Sequence, residues 1–224
     1  MSGHILAIGG GHAGSPLEDF LLELAATSRP RICFVGTASA HQPEYVETFY
    51  DAFRARPCRP THLELFGMPE DPAAHVAAQD AIYVGGGNTA NMLAIWRVHG
   101  VDRALREAWE RGAVLGGWSA GANCWFEDSV TDSYGPRLRE LGGGLGFLAG
   151  SFCPHYDGEA ERRPTFMRLV RDRVLPPGYA ADDDAALHFE GTELREVVSQ
   201  REGAQGWRVT PEGEEALEPR LLAK

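Results

Sequence analysis

Residues 113–121 read Ala113-Val114-Leu115-Gly116-Gly117-Trp118-Ser119-Ala120-Gly121, and the way this stretch is interpreted decides the fold. A short apolar run passes directly into Gly-x-Ser-x-Gly, the pattern of a serine held on a tight strand-to-helix turn. Small flanking residues let the backbone take a strained bend that pushes Oγ outward. A serine so placed can attack a carbonyl, provided that a base and oxyanion donors lie within reach.

A strand that runs into a helix through such an elbow implies an α/β sheet, and the flanking sequence has the matching texture. His4 to Ile8, Arg31 to Val35, Thr61 to Leu65, Ala81 to Val84, Ala113 to Leu115 and Leu148 to Cys153 read as strands. Between them Phe20, Leu21 and Leu24, then Tyr45, Phe49 and Phe53, then Leu93 and Trp96, then Leu105 and Trp109 recur at helical spacing. The alternation predicts a mostly parallel, doubly wound sheet flanked by helices. Ser15-Pro16-Leu17-Glu18 marks the first helix start, with Ser15 as cap and Glu18 able to close a capping box. A helix is expected over Ala120 to Phe126. After residue 180, Ala185 to Phe189 and Leu194 to Ser199, then Trp207 to Thr210 and Ala216 to Leu222, read as antiparallel hairpins that extend the sheet.

The 224 residues, 43% of them hydrophobic, suffice for one α/β domain spanning 1–224. Lys and Arg number 21 against 32 Asp and Glu, a net charge of −11 without a basic cluster, which argues against nucleic acid as a partner. The amino terminus has no charged and apolar leader, and no apolar run approaches the length of a membrane span, so a cytoplasmic protein without membrane contact is expected. Cys33, Cys58, Cys124 and Cys153 form no Cys-x-x-Cys pair and read as reduced thiols, mostly in the core. The hairpins are suited to pairing between chains, and a homodimer is the expectation.

Two glycine clusters follow strands. Gly9-Gly10-Gly11-His12-Ala13-Gly14 fits Gly-x-Gly-x-x-Gly, but the second strand runs into Val35-Gly36-Thr37-Ala38-Ser39, without the acid that binds a ribose. A turn lining the rim of another pocket is the better reading, and no cofactor is expected. Gly85-Gly86-Gly87-Asn88-Thr89 leaves backbone amides uncovered and could supply an oxyanion donor. Strand ends of an open α/β sheet converge on one crevice, which sets this loop beside Ser119.

Among eight histidines, His155 in Cys153-Pro154-His155-Tyr156-Asp157 follows the strand Leu148 to Phe152 and should emerge at the carboxyl edge where Ser119 stands. A third metal ligand at sensible spacing is missing, so the histidine reads as a base and no metal is expected. For the acid that holds the imidazole, Glu127, Asp128, Asp132 and Asp157 are all near enough in sequence.

These segments together resemble the peptidase E family of serine peptidases, relatives of the cyanophycinases on a fold similar to the class I glutamine amidotransferases. The matching stretches are Val84-Gly85-Gly86-Gly87-Asn88-Thr89, Gly117-Trp118-Ser119-Ala120-Gly121-Ala122-Asn123 and Pro154-His155, within roughly residues 30 to 200. The resemblance implies Ser119 as nucleophile, His155 as base, and the amides of Gly87 and Ala120 as oxyanion hole. It places the acid in the loop after the elbow, where Asp132 is the first choice and Glu127 or Asp157 the alternatives. Members that cleave Asp-X dipeptides hold the aspartate with an arginine downstream of the histidine. Here the nearest basic residues are Arg162, Arg163 and Arg168, with Arg162, Arg163 and Asn88 the expected contacts to a small peptide substrate. The segment Leu141 to Gly146 reads either as a lid or as a surface connection.

Overall fold

Short apolar strands joined through helices cannot return by tight turns; they pair in parallel while the helices cover the sheet faces. A computed structural model describes residues 3–11 and 13–223 and shows this arrangement in the first half of the chain. The elements are β1 (His4–Ile8), α1 (Pro16–Glu23), β2 (Arg31–Val35), α2 (Pro43–Phe53), β3 (Arg59–His62), α3 (Pro72–Ala77), β4 (Ala81–Val84), α4 (Thr89–His99), α5 (Val101–Glu110) and β5 (Val114–Trp118). They continue with α6 (Ala120–Asn123), β6 (Phe126–Thr131), β7 (Arg139–Gly142), β8 (Leu148–Cys153), α7 (Arg162–Arg171), β9 (Gly178–Ala181), β10 (Ala185–Glu190), β11 (Glu193–Ser199), β12 (Gly206–Thr210), β13 (Gly213–Leu217) and β14 (Pro219–Leu221).

The main sheet has the order β14-β11-β10-β1-β5-β4-β2-β3. From β1 to β3 the pairing is parallel, whereas β10 lies antiparallel to β1. Residues Leu6, Ile8, Phe34, Tyr83 and Val114 on one face pack with α1 and α2. Ile5, Ala7, Val35, Ile82 and Leu115 on the other face pack with α4 and α5. Strands covered on both sides must be apolar along their whole length, which is why these segments read as continuous runs. Helix α5 buries Val101, Ala104, Leu105, Ala108 and Trp109, one stripe at helical period.

A second sheet, β13-β12-β9-β8-β6-β7, is absent from the sequence-based expectation. It takes up Leu148 to Cys153, which does not join the main sheet, and the β12-β13 hairpin, which was expected to extend it. Phe126 stacks on Phe152 at 4.9 Å and meets the edge of Phe189 at 5.9 Å, so the two sheets share one aromatic core. That packing also ends α6 at Asn123 instead of Phe126, because Phe126 is needed as the first residue of β6. Helix α7 covers the outer face of the second sheet through Phe166, Leu169 and Val170.

Two boundaries shift. The third strand starts at Arg59, not Thr61, and includes Pro60; it is the edge of the sheet, where a missing N–H breaks no ladder. The final stretch divides into β13 and β14, and β14 returns to pair in parallel with β11. The four cysteines are free and buried. Among the described residues no helix is long and apolar enough to cross a membrane.

Candidate active site

The site is built at the carboxyl ends of β1, β4 and β5. In the parallel register Ile8 lies beside Trp118 and Val84 beside Gly117, so Ser119 emerges one position past the end of β1 and two past the end of β4. Its backbone has φ 55° and ψ −114°, a conformation sparsely populated by non-glycine residues. Neighbours hold it there. The Ser119 N–H donates to the Ile8 carbonyl at 3.2 Å, and the Ser119 carbonyl accepts from the amides of Ala122 and Asn123 at 3.0 and 2.9 Å. Helix α6 approaches β4 so closely that a Cβ on Gly121 would overlap the Val84 carbonyl, which accounts for the second glycine of the motif.

His155 arrives from the second sheet, yet it stands on the same strand end. Its N–H donates to the Gly9 carbonyl at 3.3 Å, one residue beyond the carbonyl that holds Ser119. The two residues are thereby pinned to consecutive peptide units of one chain segment. A Cβ on Gly10 would overlap the His155 ring and the Asp183 carboxylate, so the first glycine cluster leaves room for these side chains. His12, within that cluster, lies outside the described residues.

The carboxylate on His155 belongs to Asp183, with Oδ1 at 2.7 Å from Nδ1. The hydrogen bond from His155 holds the Asp183 carboxyl below the usual carboxylate range against the opposing effect of burial, and Arg201 and Arg162 add to the lowering. An ionised carboxylate can only accept, so Nδ1 carries the proton and Nε2 is the basic nitrogen. Asp183 is in turn fixed by its surroundings. Its N–H donates to Asp157 Oδ1 at 2.8 Å, Arg201 donates to Asp157 Oδ2 at 2.6 Å and to the Asp183 carbonyl at 2.9 Å, and Asp184 N–H donates to the Gly10 carbonyl at 2.9 Å.

This corrects the expectation for the third residue. Asp132 is 57% exposed, and its carboxylate lies 3.9 Å from the Arg162 guanidinium. Its loop is drawn to the start of α4, where Ser133 accepts from Asn88 Nδ2 through its carbonyl at 2.9 Å and from the Ala90 N–H through its hydroxyl at 3.2 Å. Glu127 accepts from the Gly150 N–H, and Asp157 supports Asp183 from behind. Sequence reading missed Asp183 because Ala185 to Phe189 was paired only with Leu194 to Ser199, as β10 and β11 indeed are, and not with β1. Pairing that strand with β1 would have set the run Asp182-Asp183-Asp184 at the strand end beside Gly10.

The expected substrate contacts are also occupied by the protein itself. Asn88 caps α4 by accepting from Asn91 N–H while donating to Ser133. Arg163 pairs with Glu214 and stacks on Trp207 at 4.3 Å. Arg162 is buried, donating to Glu159 at 2.8 Å and to the Val130 carbonyl at 3.3 Å. All three were expected to face substrate, but the structure pairs each within the protein, Arg162 in the core, where a cation must be paired, and Arg163 and Asn88 at partly exposed positions. The segment after β7 is a pinned connection, not a lid: Arg106 donates to the Leu145 and Gly146 carbonyls, and Leu145 N–H to Cys124.

Of the two expected oxyanion donors, Ala120 follows the serine directly and Gly87 lies in the loop whose Gly86 abuts Ser119. Gly87 has φ 132°, and a Cβ there would overlap the Ala38 carbonyl, which fixes the loop against the turn Thr37–Ser39. Ala120 is the first residue of α6, where an amide has no intrahelical acceptor. Burial pushes the Cys153 thiol up to about 12, away from the reactive thiolate.

The sequence profile of peptidase family S51 matches residues 5–197. The chain is 49% identical over 221 residues to the uncharacterized peptidase YgaJ of Bacillus subtilis (strain 168), a match that covers 96% of this chain and 95% of that protein. It is 32% identical over 143 residues to Peptidase E of Shewanella denitrificans, covering 60% of each. A crystal structure of a peptidase from an acI-B1 Actinobacterium superposes with a TM-score of 0.75 at 17% identity, over 98% of this chain and 95% of that one, a likeness of fold.

Proposed function

The chain belongs to peptidase family S51 and is a serine peptidase, and from that premise we propose that it hydrolyses short peptides through Ser119, His155 and Asp183. The observation that carries this reading is the common anchorage of Ser119 and His155 on the Ile8 and Gly9 carbonyls, with Asp183 on the far nitrogen of the imidazole. Nε2 of His155 takes the Ser119 proton as Oγ attacks the peptide carbonyl, and the amides of Gly87 and Ala120 receive the oxyanion. The imidazolium, stabilised by Asp183, returns its proton to the leaving amine. Water then attacks the acyl-enzyme by the same route in reverse. Asp183 orients the ring and stabilises its charge without taking the proton.

The direct test is hydrolysis of a dipeptide and tripeptide panel by wild type, Ser119→Ala and His155→Ala, with a fluorophosphonate probe alongside. Either substitution is expected to lower turnover by several orders of magnitude, on the order of 10⁴ or more, and Ser119→Ala to abolish labelling. Unchanged cleavage in Ser119→Ala would end the proposal.

A further inference from the structure

A cavity of about 320 Å³ lies on the α1 and α2 side of the main sheet, at the lower end of the range for small-ligand sites. Ser119, His155 and Asp183 do not line it, but residues in contact with them do. Ile8, whose carbonyl holds Ser119, lines it, as do Trp118, the residue before the nucleophile, and Gly10, which abuts His155 and Asp183. Its depth is aromatic: Trp118 and Tyr83 lie 5.1 Å apart between ring centres, and Leu17 and Phe49 close the sides.

The charges around it carry the inference. Glu18 and Glu44 line the cavity, and no Lys, Arg or His does so among the described residues. Glu18 is not open to a ligand. Its carboxylate accepts from the Gly14 and Ser15 amides at 2.7 and 3.0 Å and from the Tyr83 hydroxyl at 3.3 Å, with Arg56 at 3.6 Å. An acidic side chain entering here would lose water and approach Glu44 and the Arg56-paired Glu18, with no cation lining the cavity among the described residues, a costly transfer. An apolar or aromatic side chain would gain the burial of its whole surface, worth about 1.5–3 kcal/mol for a residue the size of Leu or Phe. Arg162 and Arg163, the cations that could have drawn an aspartate, are held by Glu159 and Glu214.

We propose that this cavity is the specificity pocket, and that it takes an uncharged apolar or aromatic side chain next to the scissile bond, so that the enzyme prefers such peptides to Asp-X. The inference rests on the hydrolytic reading of Ser119. Thr48 lines the pocket from an exposed position on α2, where a larger side chain can fill the space without entering the core.

The experiment measures binding of Phe-Ala, Leu-Ala, Ala-Phe and Asp-Ala to Ser119→Ala by calorimetry, which needs no turnover, alongside hydrolysis of the same peptides by wild type. At least one Phe or Leu peptide is expected to bind about tenfold or more tightly than Asp-Ala, the discrimination a single apolar side chain supplies. Adding Thr48→Trp is expected to remove that advantage, and adding Glu44→Arg to raise Asp-Ala relative to the rest, a gain that a misfolded variant cannot produce. Asp-Ala binding as tightly as the best apolar peptide, or an advantage untouched by both variants, overturns the pocket. Apolar preference in binding with no Ser119-dependent hydrolysis of any peptide overturns the catalytic reading instead.

Discussion

Asp132 and Asp183 are both aspartates near the carboxyl edge of the sheet, and only contact separates their roles. Asp183 makes a 2.7 Å bond to His155 and is supported by Asp157 and Arg201, whereas Asp132 faces solvent beside Arg162. Asp183→Asn is expected to lower kcat by about 10²–10⁴-fold, since the amide favours the wrong imidazole tautomer and gives up the charge that stabilises imidazolium. Asp132→Asn should leave kcat within a fewfold of wild type. Steady-state assays of the two variants on one peptide decide between them, and the reverse order of effects would return the role to Asp132.

The entry to α1 joins the glycine-rich turn to the body of the fold. Glu18 is buried at the third position of this helix and accepts from the Gly14 and Ser15 amides, the side-chain half of the expected capping box. Burial raises its pKa, against the lowering by those amides, Arg56 and Tyr83. Glu18→Ala strands two amides, at Gly14 and the buried Ser15, and a tyrosine hydroxyl, a loss of about 1–3 kcal/mol. The expected outcome is a lower thermal midpoint, read by circular dichroism, together with weaker peptide binding, because the turn after Gly10 lines the pocket. An unchanged midpoint would mean that water replaces the carboxylate without cost.

The whole molecule carries a net charge of −11, and several of its carboxylates work as acceptors in ion pairs. The hydrogen bond to His155 lowers the Asp183 pKa, and the one to Arg220 lowers that of Glu196. A carboxyl whose folded pKa is depressed stabilises the fold fully above its unfolded value, near pH 4, and loses that contribution as pH falls through the folded value. Glu18 has the opposite sign: with its folded pKa raised, its contribution is present below the unfolded value and declines as pH rises through the folded one. Thermal midpoints are therefore expected to fall between about pH 5 and 3, and less steeply in an Asp183→Asn, Glu196→Gln variant. Parallel pH profiles of wild type and variant would show that these two pairs contribute nothing to the slope.

The sequence alone determined what depends on neighbours along the chain. The apolar runs from His4 to Trp118, the helical spacing between them, and the small residues around Ser119 are local patterns, and they specified the parallel sheet and the elbow. His155 was legible too, although its strand lies in the second sheet and the residue is tied to Gly9 by its loop. Contacts that span the chain were not legible. Asp183 reaches His155 only because β10 pairs with β1 across about 180 residues, and the second sheet exists because Phe126, Phe152 and Phe189 find a shared core. Nor does periodicity say which ion pairs Arg162 and Arg163 join, since a charged side chain takes whichever partner packing brings within reach. Local order follows from residue type and spacing. Which carboxylate meets His155, the pairing of the arginines and the residues that line the cavity were decided by tertiary structure, which alone brings distant groups to hydrogen-bonding distance.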